Sequence, residues 1–398
     1  MSDTHLTNYD YSVPAAAASW QMRSLIVGIL GVLLFAASVF MGRDIFLRGY
    51  LVGFMLWLGL SLGCLALLML QYVAGGLWGL VSRRILEAAS KGFPLMALLF
   101  LPIAFSAHSF YPWVNHQTGW LNFPWFYIRA VIYFALWMTL AFTLTSWGKR
   151  YDEGPAPSLT YRLQGLSAPG LIIYTLTITF AAVDWVMSLS PGWTSTIYGL
   201  LYLAGQGLSA FAFILIILWL VMKHEPYRTI VTRMQIHDIG KLMMAFTLLW
   251  AYFSYSQFLI IWSGNLPEEI SWYLNRLRGA WAPVAIFIVM FHFFVPFGIM
   301  LSQEFKRNVR KLAFLGMGIM FMRMVDLFWY IVPNFNTPGA KPGPFAEVHV
   351  VMAVAGSVIG IGGLWLWFFF FNLRKAPFTP AYDPQTPLLL SMSQGHGH

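Results

Sequence analysis

Residues 50–73 read YLVGFMLWLGLSLGCLALLMLQYV, an apolar run without one Asp, Glu, Lys or Arg. Wound as a helix, such a run is about 36 Å long and crosses a hydrocarbon layer of about 30 Å. The rest of the chain is built the same way. Of 398 residues, 59% are hydrophobic and 10% charged, and the mean hydropathy is +0.66. Soluble domains carry about 25% charged residues. Charge this sparse does not cover a water-facing surface, which excludes a soluble enzyme, a disordered chain and a nucleic-acid-coating protein. The 18 Trp and the 18% aromatic share suit the interfacial belts of a membrane protein. A single cysteine, Cys64, excludes a disulfide framework, a cysteine-held iron–sulfur cluster and a Cys-rich zinc site within the chain.

Working outward, ten apolar stretches have the length of a spanning helix, at about 24–42, 50–73, 93–110, 125–147, 168–190, 195–222, 239–263, 280–302, 311–332 and 348–371. The first is not a cleavable signal: residues 1–18 are polar and carry Asp3 and Asp10 where a signal peptide carries basic residues. Of the 24 Lys and Arg, 17 fall on the N-terminal segment, the even-numbered connections and the tail, and 5 on the odd-numbered connections. The other two, Arg129 and Arg323, lie inside spans. This asymmetry predicts that both termini are cytoplasmic. The net charge of +9 then forms a cytoplasmic collar facing anionic lipid and partner subunits.

Segment 76–91 is amphipathic, with Leu77, Leu80, Val81 and Ile85 on one face and Arg83, Arg84 and Lys91 elsewhere. It predicts a helix lying on the inner membrane surface. The tail after Arg374 holds Pro377, Pro380, Pro384 and Pro387 and is expected to be extended, ordered only against a partner. His396 and His398 belong to a flexible end rather than to a metal site.

Two spans end alike. Span five has Val183-Asp184-Trp185 and then Pro191; span nine has Val325-Asp326-Leu327 and then Pro333. The two aspartates lie 142 positions apart. Gly53, Gly59, Leu62 and Ala66 of span two match Gly199, Gly205, Leu208 and Ala212 of span six at an offset of 146. The expected fold is therefore an all-α integral membrane protein with two parallel-repeat four-helix bundles and two peripheral helices. Its parts are a cytoplasmic N-terminal segment (1–23), a peripheral helix (24–49), the bundles (50–190 and 191–332), a second peripheral helix (333–373) and a Pro-rich cytoplasmic tail (374–398). Gly59, Gly63, Gly205 and Ser209 are read as small residues that let helices approach closely.

A charge at the bilayer centre costs roughly 2.5–3.5 kcal/mol, so buried ionisable residues are the candidate sites. Asp184, in the outer third of span five, has no opposite charge on its own helix; it needs a partner, for which Arg129 is favoured, or a proton. Arg323 and Asp326 share a helix face and can pair, either as a packing lock or as a proton relay. His292, near the middle of span eight, is either a hydrogen-bonded interior residue or a relay. His237, Asp238 and Lys241 open span seven, where Asp238 either favours the helix start or marks the mouth of a proton path. Tyr252, Tyr255, Ser256 and Gln257 are polar stepping stones in the same span. Glu347 and His349 open span ten. His108 and His292 differ in depth, which argues against a shared haem. No Walker loop, G-x-G-x-x-G, H-E-x-x-H or CxxC is present, so any redox centre belongs to a quinone or to another subunit.

Seven stretches carry a resemblance: LGCLALL at 62–68, PLMALLF at 94–100, VDWVMSL at 183–189, STIYG at 195–199, HDIGK at 237–241, SQFLIIWSGNLPEE at 256–269 and RMVDLFW at 323–329. Through them the chain resembles the NrfD-like, polysulfide-reductase-type membrane subunits, and more closely the F subunit of bacterial alternative complex III, a quinol:electron-carrier oxidoreductase. The match runs from span two to span nine. The resemblance implies two four-helix bundles with two peripheral helices, in the bacterial inner membrane, within a large complex. There a multihaem cytochrome and an iron–sulfur subunit sit on the outer side, and a second, paralogous NrfD-like subunit is the neighbour to which quinol binding is assigned. The F subunit binds no cofactor of its own and is proposed to hold a proton path.

The leading expectation is thus a cofactorless subunit supporting quinol oxidation, with Asp184, Arg323, Asp326 and His292 as candidate proton carriers. A second is that the chain itself forms a quinol pocket near the outer face from His108, Arg129 and Asp184. A third is a purely structural membrane anchor. A free-standing transporter ranks last, because the repeat is parallel.

Overall fold

The computed structural model describes residues 12–41, 43–225, 227–279, 281–335, 348–379 and 382–394. The readings on Glu347, His396, His398 and residues 1–11 lie outside these. Among the described residues, ten helices are long and apolar enough to cross a membrane, and none of these residues forms a strand. The spanning helices are α1 (Ala16–Ala37), α2 (Arg43–Ala74), α4 (Phe93–Phe110), α5 (Phe123–Gly148), α6 (Pro157–Trp185), α7 (Tyr198–Val221), α8 (Arg233–Gly264), α10 (Trp281–Met300), α11 (Val309–Ile331) and α12 (Val348–Leu373). Of the shorter helices among the described residues, three are longer than one turn: α3 (Leu77–Ser90), α9 (Pro267–Leu277) and α13 (Thr386–Gln394).

Each expected stretch overlaps one of these ten helices, but several helices start earlier than their apolar runs. α1 begins at Ala16 rather than 24, α6 at Pro157 rather than 168, and α8 at Arg233 rather than 239. A backbone ladder does not stop where hydropathy does; polar turns continue the helix into the interface. The N-terminus of α8 illustrates this. Thr232 and Gln235 close a capping box there, so Asp238 sits past the first turn and does not cap the helix.

α2 and α7 form the centre: 89% and 83% of their apolar stretches lie inside the protein. They pack on each other, and α6, α11 and α12 also pack against α2. α1 is 17% buried and packs mainly along α12. That seam is made of small residues; a Cβ on Gly31 would stand 2.4 Å from the Gly360 nitrogen.

Two readings are corrected at the end of the molecule that carries both described termini. α3 does not lie on a surface: every residue from Trp78 to Ser90 is buried, against α2, α7, α8 and α12. The reason is electrostatic pairing that the pattern of one segment cannot disclose. Arg83 Nη1 donates to Asp383 Oδ2 at 2.5 Å, and Arg84 donates to Glu87 Oε2 at 2.6 Å and to Asp152. Burial works against the charge of Arg83, but Tyr72, Asp383 and Glu87 outweigh it and hold the guanidinium above its ordinary value. The partner Asp383 shows that the tail is not free either. Phe378, Thr386 and Leu389 are buried, the Tyr382 amide donates to the Tyr151 carbonyl at 3.0 Å, and α13 follows. The described part of the tail packs against this chain itself.

Candidate functional site

Asp184, near the far end of α6, is fully buried and accepts four hydrogen bonds. Arg129 Nε reaches Oδ2 at 2.7 Å and Nη2 reaches Oδ1 at 2.8 Å. Tyr133 donates to Oδ2 at 2.8 Å and Trp120 Nε1 to Oδ1 at 2.9 Å. Arg129 also donates to the Trp120 carbonyl at 2.9 Å, with its guanidinium 4.3 Å from that ring's centroid. The favoured partner is therefore in place. With two donors on each oxygen, the carboxylate has no acceptor position left for an incoming group. His108 is not part of this cluster: it is exposed and stacks on Phe123, with ring centroids 3.5 Å apart. The expected quinol pocket of His108, Arg129 and Asp184 does not assemble, because Trp120 and Tyr133 take up the positions that a ligand would need.

Asp326, near the far end of α11, is built differently. Arg323, one turn before it, donates to Oδ2, and Trp250 Nε1 of α8 donates to the same oxygen at 3.2 Å. Among the described residues, Oδ1 has no hydrogen-bond partner. Gly205 of α7 makes room for the cation, since a Cβ there would lie 2.3 Å from Arg323 Cζ. This glycine, read from sequence as a helix-packing residue, is the space into which a guanidinium fits.

His292 is buried beside this pair, its ring centroid 4.2 Å from that of Trp250 and edge-on to it. It lies in a π-helical stretch of α10, Val289–Phe294, a distortion that recurs at functional sites. Neither ring nitrogen is hydrogen-bonded among the described residues, so the bonded interior histidine expected from sequence is not what is found.

A cavity of about 370 Å³ opens between α8 and α10 and is roofed by Tyr273 and Leu277 of α9. Phe258, Phe293 and Phe294 line it, together with Asp326 as its one charged residue. Tyr255 and Phe294, both exposed, form its rim toward the lipid-facing flank. Ser254 and Trp329 also line it, and Ser254 Oγ and Trp329 Nε1 are buried without a partner among the described residues.

Other sequence candidates lie apart from this centre. Tyr252 is 65% exposed on the flank of α8 and does not step inward. Gln257 is buried, accepting from Ser195 at 2.8 Å and donating to the Tyr273 hydroxyl at 3.2 Å. Asp238 and Lys241 pair with each other at 2.7 Å on the surface, with the lysine side chain 54% exposed. His237 is partly exposed beside them, on the same end of α8.

Sequence reasoning missed Arg276 of α9, counting it only as a connection charge. It is buried and donates to the carbonyls of Trp272, Trp329 and Tyr330 at 3.1–3.2 Å and to Asn334 Oδ1 at 2.5 Å. Its guanidinium lies 3.6 Å from the Trp272 ring centroid. Two of those carbonyls end α11, where a helix presents partial negative charge. A signal was available: Arg276 follows Arg129 by 147 positions, close to the 142 and 146 on which the expectation of a repeat rests.

No family model matches the chain, and no curated protein matches it.

Proposed function

We propose that this chain is a cofactorless membrane subunit of a respiratory quinol:electron-carrier oxidoreductase, of the NrfD-like kind that the F subunit of alternative complex III represents. On this reading it sits in the bacterial inner membrane with both termini cytoplasmic. It associates with a paralogous NrfD-like membrane subunit, an iron–sulfur subunit and a multihaem cytochrome; the last two carry the iron–sulfur and haem centres. Its own part is proton handling at Asp326. The observation that carries this is the unequal wiring of the two aspartates. All four acceptor positions of Asp184 are filled, whereas Asp326 lines a cavity and is hydrogen-bonded among the described residues through Oδ2 alone. A saturated carboxylate holds helices together; one with a free oxygen can receive a proton. Asp184 is therefore read as a structural lock, and Arg323 as the group that keeps Asp326 oriented.

The duplicated four-helix arrangement belongs to the same proposal. α2 and α7 are the corresponding helices of the two units and are the two most buried spans. Arg129 and Arg276 stand at nearly the repeat offset, each with its guanidinium over a tryptophan. Purification of the intact complex, identification of its subunits and assay of quinol oxidation test the assignment. A chain that purifies alone, or with partners that oxidise no quinol, would defeat it.

A further inference from the structure

We infer that the cavity between α8, α10 and α11 holds one acyl chain of a membrane phospholipid, whose phosphate meets Arg278 at the α9 end. The inference needs only a chain that spans a bilayer and stands apart from the complex assignment. The lining runs from Trp250 to Phe258 on α8 and from Ala285 to Phe294 on α10, about 12 Å of helix on each. The space is a slot along the helices, the direction in which lipid chains run. Its volume, about 370 Å³, falls in the range of ligand-holding cavities, roughly 300–1,000 Å³. Tyr255, Val289 and Phe294, all exposed, leave one side of it open toward the lipid flank.

The walls offer a polar ligand little. Ser254 Oγ and Trp329 Nε1 are covered and present no surface to the slot. Trp250 Nε1 is engaged with Asp326, and the Tyr273 hydroxyl accepts from Gln257. Asp326 itself is 1% exposed, with Arg323 against it. A polar ring would give up its hydrogen bonds on entering and find few in return. An acyl chain has none to lose, and it restores the dispersion contacts that an unfilled void forfeits. Arg278 selects the lipid among apolar occupants. It follows Leu277, which roofs the slot, and lies on the short connection from α9 to α10. Its side chain is exposed and has no ion-pair partner among the described residues. Glu268 and Glu269 stand at the opposite end of α9, about 14 Å of helix away. A cation at the head of an apolar slot, at the level where the spans end, matches a phosphate carried on an acyl chain and not the uncharged head of an isoprenoid. The bound chain also seals Asp326 from the lipid flank.

The experiment uses the full chain, purified in detergent with whatever partners it brings, and a phosphatidylglycerol carrying a diazirine midway along one acyl chain. After illumination the label is mapped by peptide mass spectrometry. The expected result is label on Ala251, Ala285 or Ile288 that saturates at one lipid per chain. It should exceed at least tenfold the label on residues 26–33 of α1, whose exposed Ile26, Leu30 and Leu33 report ordinary bilayer contact. Excess unlabelled phosphatidylglycerol should displace it and decylhydroquinone should not. Arg278→Gln, a change at an exposed position, should weaken the labelling at least threefold. Ala285→Trp and Ala251→Phe fill the slot from two different helices, and whichever of them purifies folded should lose the label at least tenfold. Label no stronger than on α1 would overturn the site, as would displacement by decylhydroquinone equal to that by the lipid. So would labelling unchanged in Arg278→Gln or persisting in a folded filled variant. If neither filled variant folds, the wild-type mapping, the competition and Arg278→Gln decide.

Discussion

Asp184 and Asp326 stand at matching points of two similar sequence runs, yet their surroundings give them different work. At Asp184 the bidentate Arg129 and the Tyr133 and Trp120 donors form a closed set. Asp184→Asn strands Arg129 in a low-dielectric interior, and breaking such a pair costs about 3–5 kcal/mol. The expected outcome is a markedly lower melting temperature in detergent and poor recovery of the complex. Replacing both partners, as Arg129→Met with Asp184→Leu, should recover most of that loss, since an apolar pair of similar volume is often as stable as a buried ion pair. A single mutant as stable as wild type would show that the pair is not the lock described here. The identity of these residues was legible because an ionisable group in an apolar run stands out. Their difference was not. It depends on Trp120, Tyr133 and Trp250, aromatic residues that look like ordinary filler in a chain with 18% aromatics.

Helices show the same division between local and distant information. The spans were legible because hydropathy is a property of one segment read alone. The burial of α3 was not, because an amphipathic helix on a membrane surface and one buried through ion pairs have the same pattern. What distinguishes them is Asp383, 300 positions away from Arg83. The contact is testable at the level of the element. Asp383→Ala should release the tail, and limited proteolysis should then cut between 374 and 394 far faster than in wild type, while the spanning helices stay protected. Unchanged protection would mean that Phe378 and α13 hold the tail without the ion pair. The π-helical stretch around His292 had no sequence signature, since VMFHFF reads as a plain apolar turn. α9 was partly legible: Pro267 at its start and Glu268 and Glu269 in its first turn are sound helix-opening residues. Its role as the roof of a cavity became visible only through Arg276, which ties it to the end of α11. Arg276→Met should loosen that roof and raise hydrogen exchange across 267–277, with little change in α3 or α4.

At the scale of the whole molecule, an even number of spans brings the described ends together, as the contact of Arg374 with Gln21 at 2.9 Å reflects. The proposed orientation, with that end toward the cytoplasm, rests on the basic residues, 17 against 5. A tag after residue 394 should be protease-accessible only in inside-out vesicles; accessibility from the periplasm would reverse the account. In the proposed orientation the Asp326 cavity would lie in the outer half of the membrane and the α3 cluster at the inner end, so the proposed proton handling at Asp326 would face the side on which the proposed quinol oxidation releases protons. The decisive measurement is quinol-driven proton translocation per electron in reconstituted complex, comparing wild type with Asp326→Asn and with Arg323→Gln plus Asp326→Asn, the double change removing the stranded cation. The account predicts that the double variant assembles and oxidises quinol but yields fewer protons per electron. An assembled double variant with the wild-type proton-to-electron ratio would contradict the assignment of proton handling to Asp326.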